Sequence, residues 1–149
     1  MTAQGPTYPG SGDWTVEAWL RYPATSGQFI VVEQSDGLHP TDPDLGLVYR
    51  LAISDGDATF WMRLPGNNTI VDGVDVSAHA GQWFHAAVVY RGGAAMDFYV
   101  NGVLAGHNTI ISSPIVSAPQ GQVYLGGDRC GTSAGLALDE VRLSNVARY

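Results

Sequence analysis

Lysine is absent from this 149-residue sequence, and all seven basic residues are arginines. Against them stand 14 acidic residues, which leaves a formal net charge of −7. An acidic surface repels phosphate backbones, so nucleic acid is not expected as a partner. Cysteine is nearly absent as well. The one thiol, Cys130, has no intrachain partner, which excludes an internal disulfide. No Cys-x-x-Cys or His-x-x-x-His spacing offers structural zinc. Cys130 is expected to pack as a small buried hydrophobe. No apolar run reaches the ~18 residues of a membrane span, so membrane insertion is not expected. Residues 1–11 carry neither a basic cluster nor an apolar core, and no signal peptide is expected in this chain. Capped helical periodicity is missing too, apart from a possible turn near Ser144–Arg148.

What is present is strand signal. Trp14, Val16, Ala18 and Leu20 alternate with Thr15, Glu17, Trp19 and Arg21, which predicts a half-buried strand. Strands are also predicted over 28–34, 47–53 and 59–64. The polar cluster Ser54-Asp55-Gly56-Asp57 predicts a hairpin turn with glycine at positive φ. Residues 83–90 form the most apolar segment and read as a central strand covered on both faces. Asn101-Gly102 sits between the alternating runs 96–100 and 103–106, the signature of a two-residue type I′ hairpin. Residues 122–126 and 136–143 supply the last two strands. In the final strand, simple alternation puts Asp139 with Val141 and Glu140 with Arg142. Trp19, Trp83, Phe84, Phe98 and Tyr99 are expected to supply much of the buried area. Many short strands with frequent Gly and Pro turns predict an all-β, antiparallel, two-sheet β-sandwich in a single domain.

Four blocks, in order, resemble a known family. They are Asp13-Trp14-Thr15-Val16-Glu17-Ala18-Trp19-Leu20; the run Gly81–Tyr90 with its Trp83-Phe84-His85; Asp97-Phe98-Tyr99-Val100-Asn101-Gly102; and Tyr124-Leu125-Gly126-Gly127 followed by Leu138-Asp139-Glu140-Val141-Arg142. Together they resemble laminin-G-like jelly rolls of the concanavalin A-like lectin/glucanase superfamily. The resemblance covers residues 13–149 and implies a jelly-roll sandwich. It departs from the family over residues 1–12, where Pro6, Pro9 and three glycines disfavour a regular interior strand. That segment is expected to be an extended arm that docks on a neighbour, because an unpaired edge is a template for association.

Glucanases of the superfamily resemble one another in a Glu-x-Asp-x-x-Glu strand, which this sequence lacks. Its only glutamates, Glu17, Glu33 and Glu140, fall on three different predicted strands, whereas glycoside hydrolysis needs two closely set carboxylates. His39, His79, His85 and His107 are scattered, and no Gly-x-Ser-x-Gly elbow is present. The protein is therefore not expected to be an enzyme. Related laminin-G-like domains hold calcium where loops meet. Asp36, Asp42 and Asp44 place three carboxylates within nine residues, a donor set that suits a hard cation, and they form the expected calcium site.

The expected function is a non-catalytic binding module that recognises a glycan or surface ligand through loops at one end of the sandwich. Asp36, Tyr49, Trp61, Asn67, Asn68, Asp128 and Arg129 are the candidate ligand residues, combining aromatic platforms with carboxylates, amides and a guanidinium. The alternative is a structural or assembly subunit, such as a surface, appendage or virion decoration protein, which oligomerises through its edge strand and N-terminal arm. Either reading implies an extracellular, cell-surface or virion-associated setting.

Overall fold

In the computed structural model, residues 2–3, 12–36, 46–64, 67–109, 121–128 and 131–149 are described. Their strands are β1 (Thr2–Ala3), β2 (Trp14–Arg21), β3 (Gln28–Ser35), β4 (Leu47–Ser54), β5 (Asp57–Leu64), β6 (Asn67–Asp75), β7 (Phe84–Arg91), β8 (Ala95–Val100), β9 (Val103–Asn108), β10 (Val123–Leu125), β11 (Gly127–Asp128), β12 (Gly131–Thr132) and β13 (Ala137–Ser144). A short 3₁₀ turn, Ser77–His79, separates β6 from β7. The period-2 pattern of each strand selects its inner face. In β2, Trp14, Val16, Ala18 and Leu20 are all buried in the core. Pairing is antiparallel throughout. One sheet runs β1-β10-β3-β4-β5-β6, a second runs β13-β2-β7-β8-β9, and β11 with β12 forms a small separate ladder.

The two large sheets meet over an aromatic cluster. Trp14 stacks on Tyr90 at 5.3 Å and meets Phe60 and Tyr49, from the opposite sheet, at 5.8 and 5.9 Å. Such rings carry large buried area and hold the layers in one arrangement. Both predicted hairpins form as the turn residues require. Asp55 and Gly56 have φ of 51° and 93°, and Asn101 and Gly102 have 49° and 78°, the left-handed pairs of a type I′ turn. The central strand β7 is covered on both sides, with Ala87 and Val89 buried on its outer face.

Four local features differ from or add to the sequence expectations. Asn67 and Asn68 begin β6, an edge strand paired with β5 that the strand signals did not predict. Its polar start and Gly73 hide a strand pattern, which an edge position tolerates. Thr2 and Ala3 pair with Tyr124 and Val123 at the edge of the chain's own sheet; residues 4–11 of the expected arm lie outside the described residues. In β13 the register shifts between Asp139 and Arg142, with Glu140 at φ 49°. This bulge inserts one residue and flips the alternation, so Asp139 and Arg142, opposite Trp19 and Glu17, share the outer face. Finally, Trp19 and Trp83 are 40% and 45% exposed, and the largest buried rings are Trp14, Tyr49, Tyr90, Phe60, Phe84 and Phe98.

Candidate ligand-binding surfaces

The outer face of the five-stranded sheet divides into two parts. One is centred on Glu17. Its cross-strand neighbours on this face are Arg142 and Ala87, and it is only 4% exposed. Glu17 Oε1 lies 3.4 Å from Arg142 Nη1 and 2.9 Å from Arg148 Nε, and Oε2 accepts from the Tyr149 hydroxyl at 2.9 Å. The C-terminal residues hold this arrangement down. Thr15 Oγ1 donates to the Val146 carbonyl, Arg148 N–H donates to Thr15 Oγ1, and Arg91 donates to the Tyr149 main-chain oxygen at 2.7 Å. Tyr149 also stacks on Tyr99 at 4.9 Å. Alongside, Asp97 binds Arg91 at 2.7 Å and His107 at 2.6 Å. Burial pushes the Asp97 carboxyl upward, but these two partners outweigh it and hold it below its ordinary 3.8.

The other part is aromatic and open. Arg21 and Trp83 follow Leu20 and precede Phe84 at the end of the β2–β7 ladder, and the Arg21 guanidinium lies 5.7 Å from the Trp83 ring centroid. Trp19 is the cross-strand neighbour of His85 and meets its ring edge-on at 5.6 Å. Two half-exposed indoles, a guanidinium and an imidazole thus share one end of one face. Sequence reasoning assigned both tryptophans to buried area. The usable signal was the parity of β2, which sets Trp19 opposite in phase to Trp14.

A cleft of about 290 Å³ opens at the same end, lined by Tyr22, Thr25, Ser26, Asp55, Ser77 and Ala80 together with Ala24 and Gly56. Its walls are tied together. Asp55 N–H donates to the Gly27 carbonyl at 3.0 Å, and Gly27 N–H donates to Asp55 Oδ1 at 2.8 Å. Val76 N–H reaches the Gly56 carbonyl at 2.9 Å, and the Tyr22 hydroxyl reaches the Val76 carbonyl at 2.9 Å. Burial first, and then the Asp75 and Asp57 carboxylates, push the Tyr22 phenol up.

Among the described residues, the candidates named from sequence stand in different parts of the fold. Tyr49 is 0% exposed and stacks on Phe60; burial pushes its phenol up, and no ligand reaches it. Trp61 is half-buried on the outer face of the six-stranded sheet, with Arg50 and Ile70 as cross-strand neighbours. Arg50 is held there by Glu33, through Nη2 at 2.8 Å and Nε at 2.9 Å. Asp36 follows β3, its N–H bonded to the Gly46 carbonyl at 2.6 Å. Asn67 and Asn68 face Leu64 and Arg63 in the register of β5. Asp128 belongs to β11, which leaves from Gly126; that glycine bonds to Val31, five residues before Asp36 on an extended strand. Five residues of strand span roughly 17 Å, so Asp128 is not a neighbour of Asp36. Arg129, Asp42, Asp44 and Cys130 lie outside the described residues. Among the described residues, no group of three or more His, Cys, Asp or Glu side chains is placed to hold a metal ion.

Two of the three glutamates, Glu17 and Glu33, stay apart in the sandwich. Glu17 and Glu33 stand on opposite outer faces, with the ~10 Å core between their sheets. That exceeds the carboxylate spacing of glycoside hydrolysis. No helix is long and apolar enough to cross a membrane among the described residues.

Comparison with known proteins places these surfaces in context. A laminin-G-type family model of the concanavalin A-like lectin/glucanases superfamily matches residues 2–149. The match starts eleven residues before the first block recognised in the sequence, and so includes the N-terminal segment. No curated protein matches by sequence. Among solved structures, the chain is similar to the botulinum neurotoxin serotype D ligand binding domain in complex with N-acetylneuraminic acid (13% identity, TM-score 0.68, 93% of this chain and 34% of that one). It is also similar to the receptor binding domain of botulinum neurotoxin C/D mosaic serotype (12%, 0.67, 93% and 34%) and to the binding domain of Paraclostridial Mosquitocidal Protein 1 (15%, 0.67, 94% and 35%). The chain spans about a third of each of these. At these identities the similarity is one of fold.

Proposed function

Because the chain belongs to the laminin-G-type family of the concanavalin A-like lectin/glucanases superfamily, we propose that it is a non-catalytic module that binds a glycan outside the cell or at a surface. The observation that carries this reading is the exposed pair Trp19 and Trp83 on one face. A sugar ring presents C–H groups on one side, which pack on an indole, while its hydroxyls reach polar side chains at the rim. Arg21 and His85 are the polar groups beside the two rings. The similar toxin domain with bound N-acetylneuraminic acid supports a glycan as ligand class. Since only a third of that chain is matched, both sialylated and neutral glycans belong in the test. A glycan array probed with the wild type and with Trp83→Ala tests the reading. Binding lost in the variant supports it, and a blank array for the wild type, with and without calcium, removes the tryptophan platform. Trp61→Ala on the same array tests the platform named from sequence.

Calcium remains part of the proposal. The carboxylates of Asp36, Asp42 and Asp44 suit its preference for several oxygen donors. An unchanged melting midpoint at millimolar calcium sinks that site.

A second reading, assembly, draws on β9. Val103 and Leu104 are 69% and 52% exposed on this edge strand. Exposed apolar edges favour strand pairing between chains. Sedimentation over a wide concentration range decides it: a monomer throughout leaves only the binding module.

A further inference from the structure

We propose that the cleft between the β2–β3 loop, the β4–β5 turn and the 3₁₀ turn is a subsite for a single sugar ring without an acidic group, with a hexosamine preferred. It rests on the glycan-binding reading for its ligand class, but uses different residues from the tryptophan pair.

Three observations carry it. The first is size: 290 Å³ stands at the lower limit of small-molecule sites and suits one ring, not an extended chain. The second is rigidity. Three segments distant in sequence are locked by the reciprocal Asp55–Gly27 bonds and by the Gly56–Val76 and Gly81–Tyr22 bonds, so little ordering cost falls on binding. The β4–β5 turn holds Asp55 at φ 51°, which fixes its carboxylate at the cleft. The third is chemistry. The lining offers three hydroxyls, from Thr25, Ser26 and Ser77, and the carboxylate of Asp55, beside the apolar surface of Tyr22, Ala24 and Ala80. Hydroxyls exchange hydrogen bonds with a polyol in both directions, and the carboxylate accepts from a hydroxyl or an ammonium. Among the described residues, none that lines the cleft is cationic, while Asp57 and Asp75 stand close enough to act on Tyr22. An acidic sugar would meet net repulsion there, and an ammonium net attraction.

Titrations of the full chain with glucosamine, glucose and N-acetylneuraminic acid, followed by chemical-shift changes, test the proposal. Glucosamine is expected to bind most tightly, glucose more weakly and N-acetylneuraminic acid not at all in the cleft. Asp55→Asn keeps the side-chain acceptor for Gly27 and tolerates the left-handed backbone. It should weaken glucosamine roughly threefold to fivefold, the scale of one exposed ion pair, and should erase its advantage over glucose. Ser77→Leu fills the cleft and should abolish the shifts that both sugars cause there. Shifts mapping away from residues 22–27, 55–56 and 77–80, or glucosamine binding unchanged in both cleft variants, overturn the subsite. If wild type binds array glycans through Trp83 but no monosaccharide, the subsite alone falls. If glucosamine binds the cleft while the array stays blank, the tryptophan platform alone falls.

Discussion

Glu17 and Trp19 are two residues apart on one strand and point to the same side of the same sheet, yet one is 4% exposed and the other 40%. The difference is cover. Arg142, Arg148 and Tyr149 close over Glu17, and nothing comparable among the described residues closes over Trp19 or Trp83. A charged group in the covered half stabilises the fold, because its partners are supplied from within. An aromatic group in the open half contributes little to the fold and is available to a ligand. His85 sits on the seam, edge-on to Trp19 and 3.6 Å from Glu17.

Substitutions break this contrast in a graded order. Glu17→Ala strands Arg142, Arg148 and the Tyr149 hydroxyl. Loss of one partner from a fully buried pair costs about 3–5 kcal/mol. Both arginines are partly exposed here, so solvent screening reduces the expected loss to about 2 kcal/mol. The melting midpoint should fall by roughly 4–8 °C, with glycan binding retained by the remaining folded protein. A stable Glu17→Ala that fails to bind would assign Glu17 to the site instead. Trp83→Ala should do the reverse: more than tenfold weaker glycan binding, as for an anchoring aromatic, with stability changed by less than about 1 kcal/mol, the cation–π contact with Arg21 being the main loss. Tyr49→Phe separates core from site on the six-stranded side. The Tyr49 hydroxyl is buried with no hydrogen-bond partner among the described residues, so its removal should be neutral or stabilising by up to about 1 kcal/mol in denaturant unfolding, with no change in binding.

The smallest effect concerns pH. Burial lowers the His85 pKa below its ordinary 6.5, against the opposing pull of Glu17 and Glu140. The folded state therefore binds fewer protons at this group than the unfolded chain, and stability declines as pH falls below about 6.5. His85→Gln should flatten the melting midpoint between pH 7 and 5. Asp97, held below 3.8, acts in a lower window: its contribution is present above that value and is lost as pH falls through the lowered pKa.

Local chemistry was legible in the sequence wherever it depends on neighbours along the chain. The phase of β2, the hairpins at Asp55-Gly56 and Asn101-Gly102 and the double burial of β7 all emerged from spacing and turn residues. β6 escaped because an edge strand can begin with two asparagines and contain Gly73. The β13 register escaped because one residue at left-handed φ reverses every later side chain. The candidate site was legible only as residue types: aromatics, carboxylates and amides were named, but Tyr49 proved to be core and Asp128 stands far from Asp36.

The sequence by itself determined a two-sheet sandwich and which side of regular strands such as β2 faces inward, because those follow from a period of two and from backbone-compatible turns. Only the tertiary structure decided which outward residues remain in water. Thr15 and Val146, bonded across the five-stranded face, are 131 residues apart in sequence, and the cleft unites three segments through backbone hydrogen bonds. Exposure of Trp19 and Trp83, burial of Glu17 and the setting of Asp55 depend on such long-range cover, which no local pattern encodes.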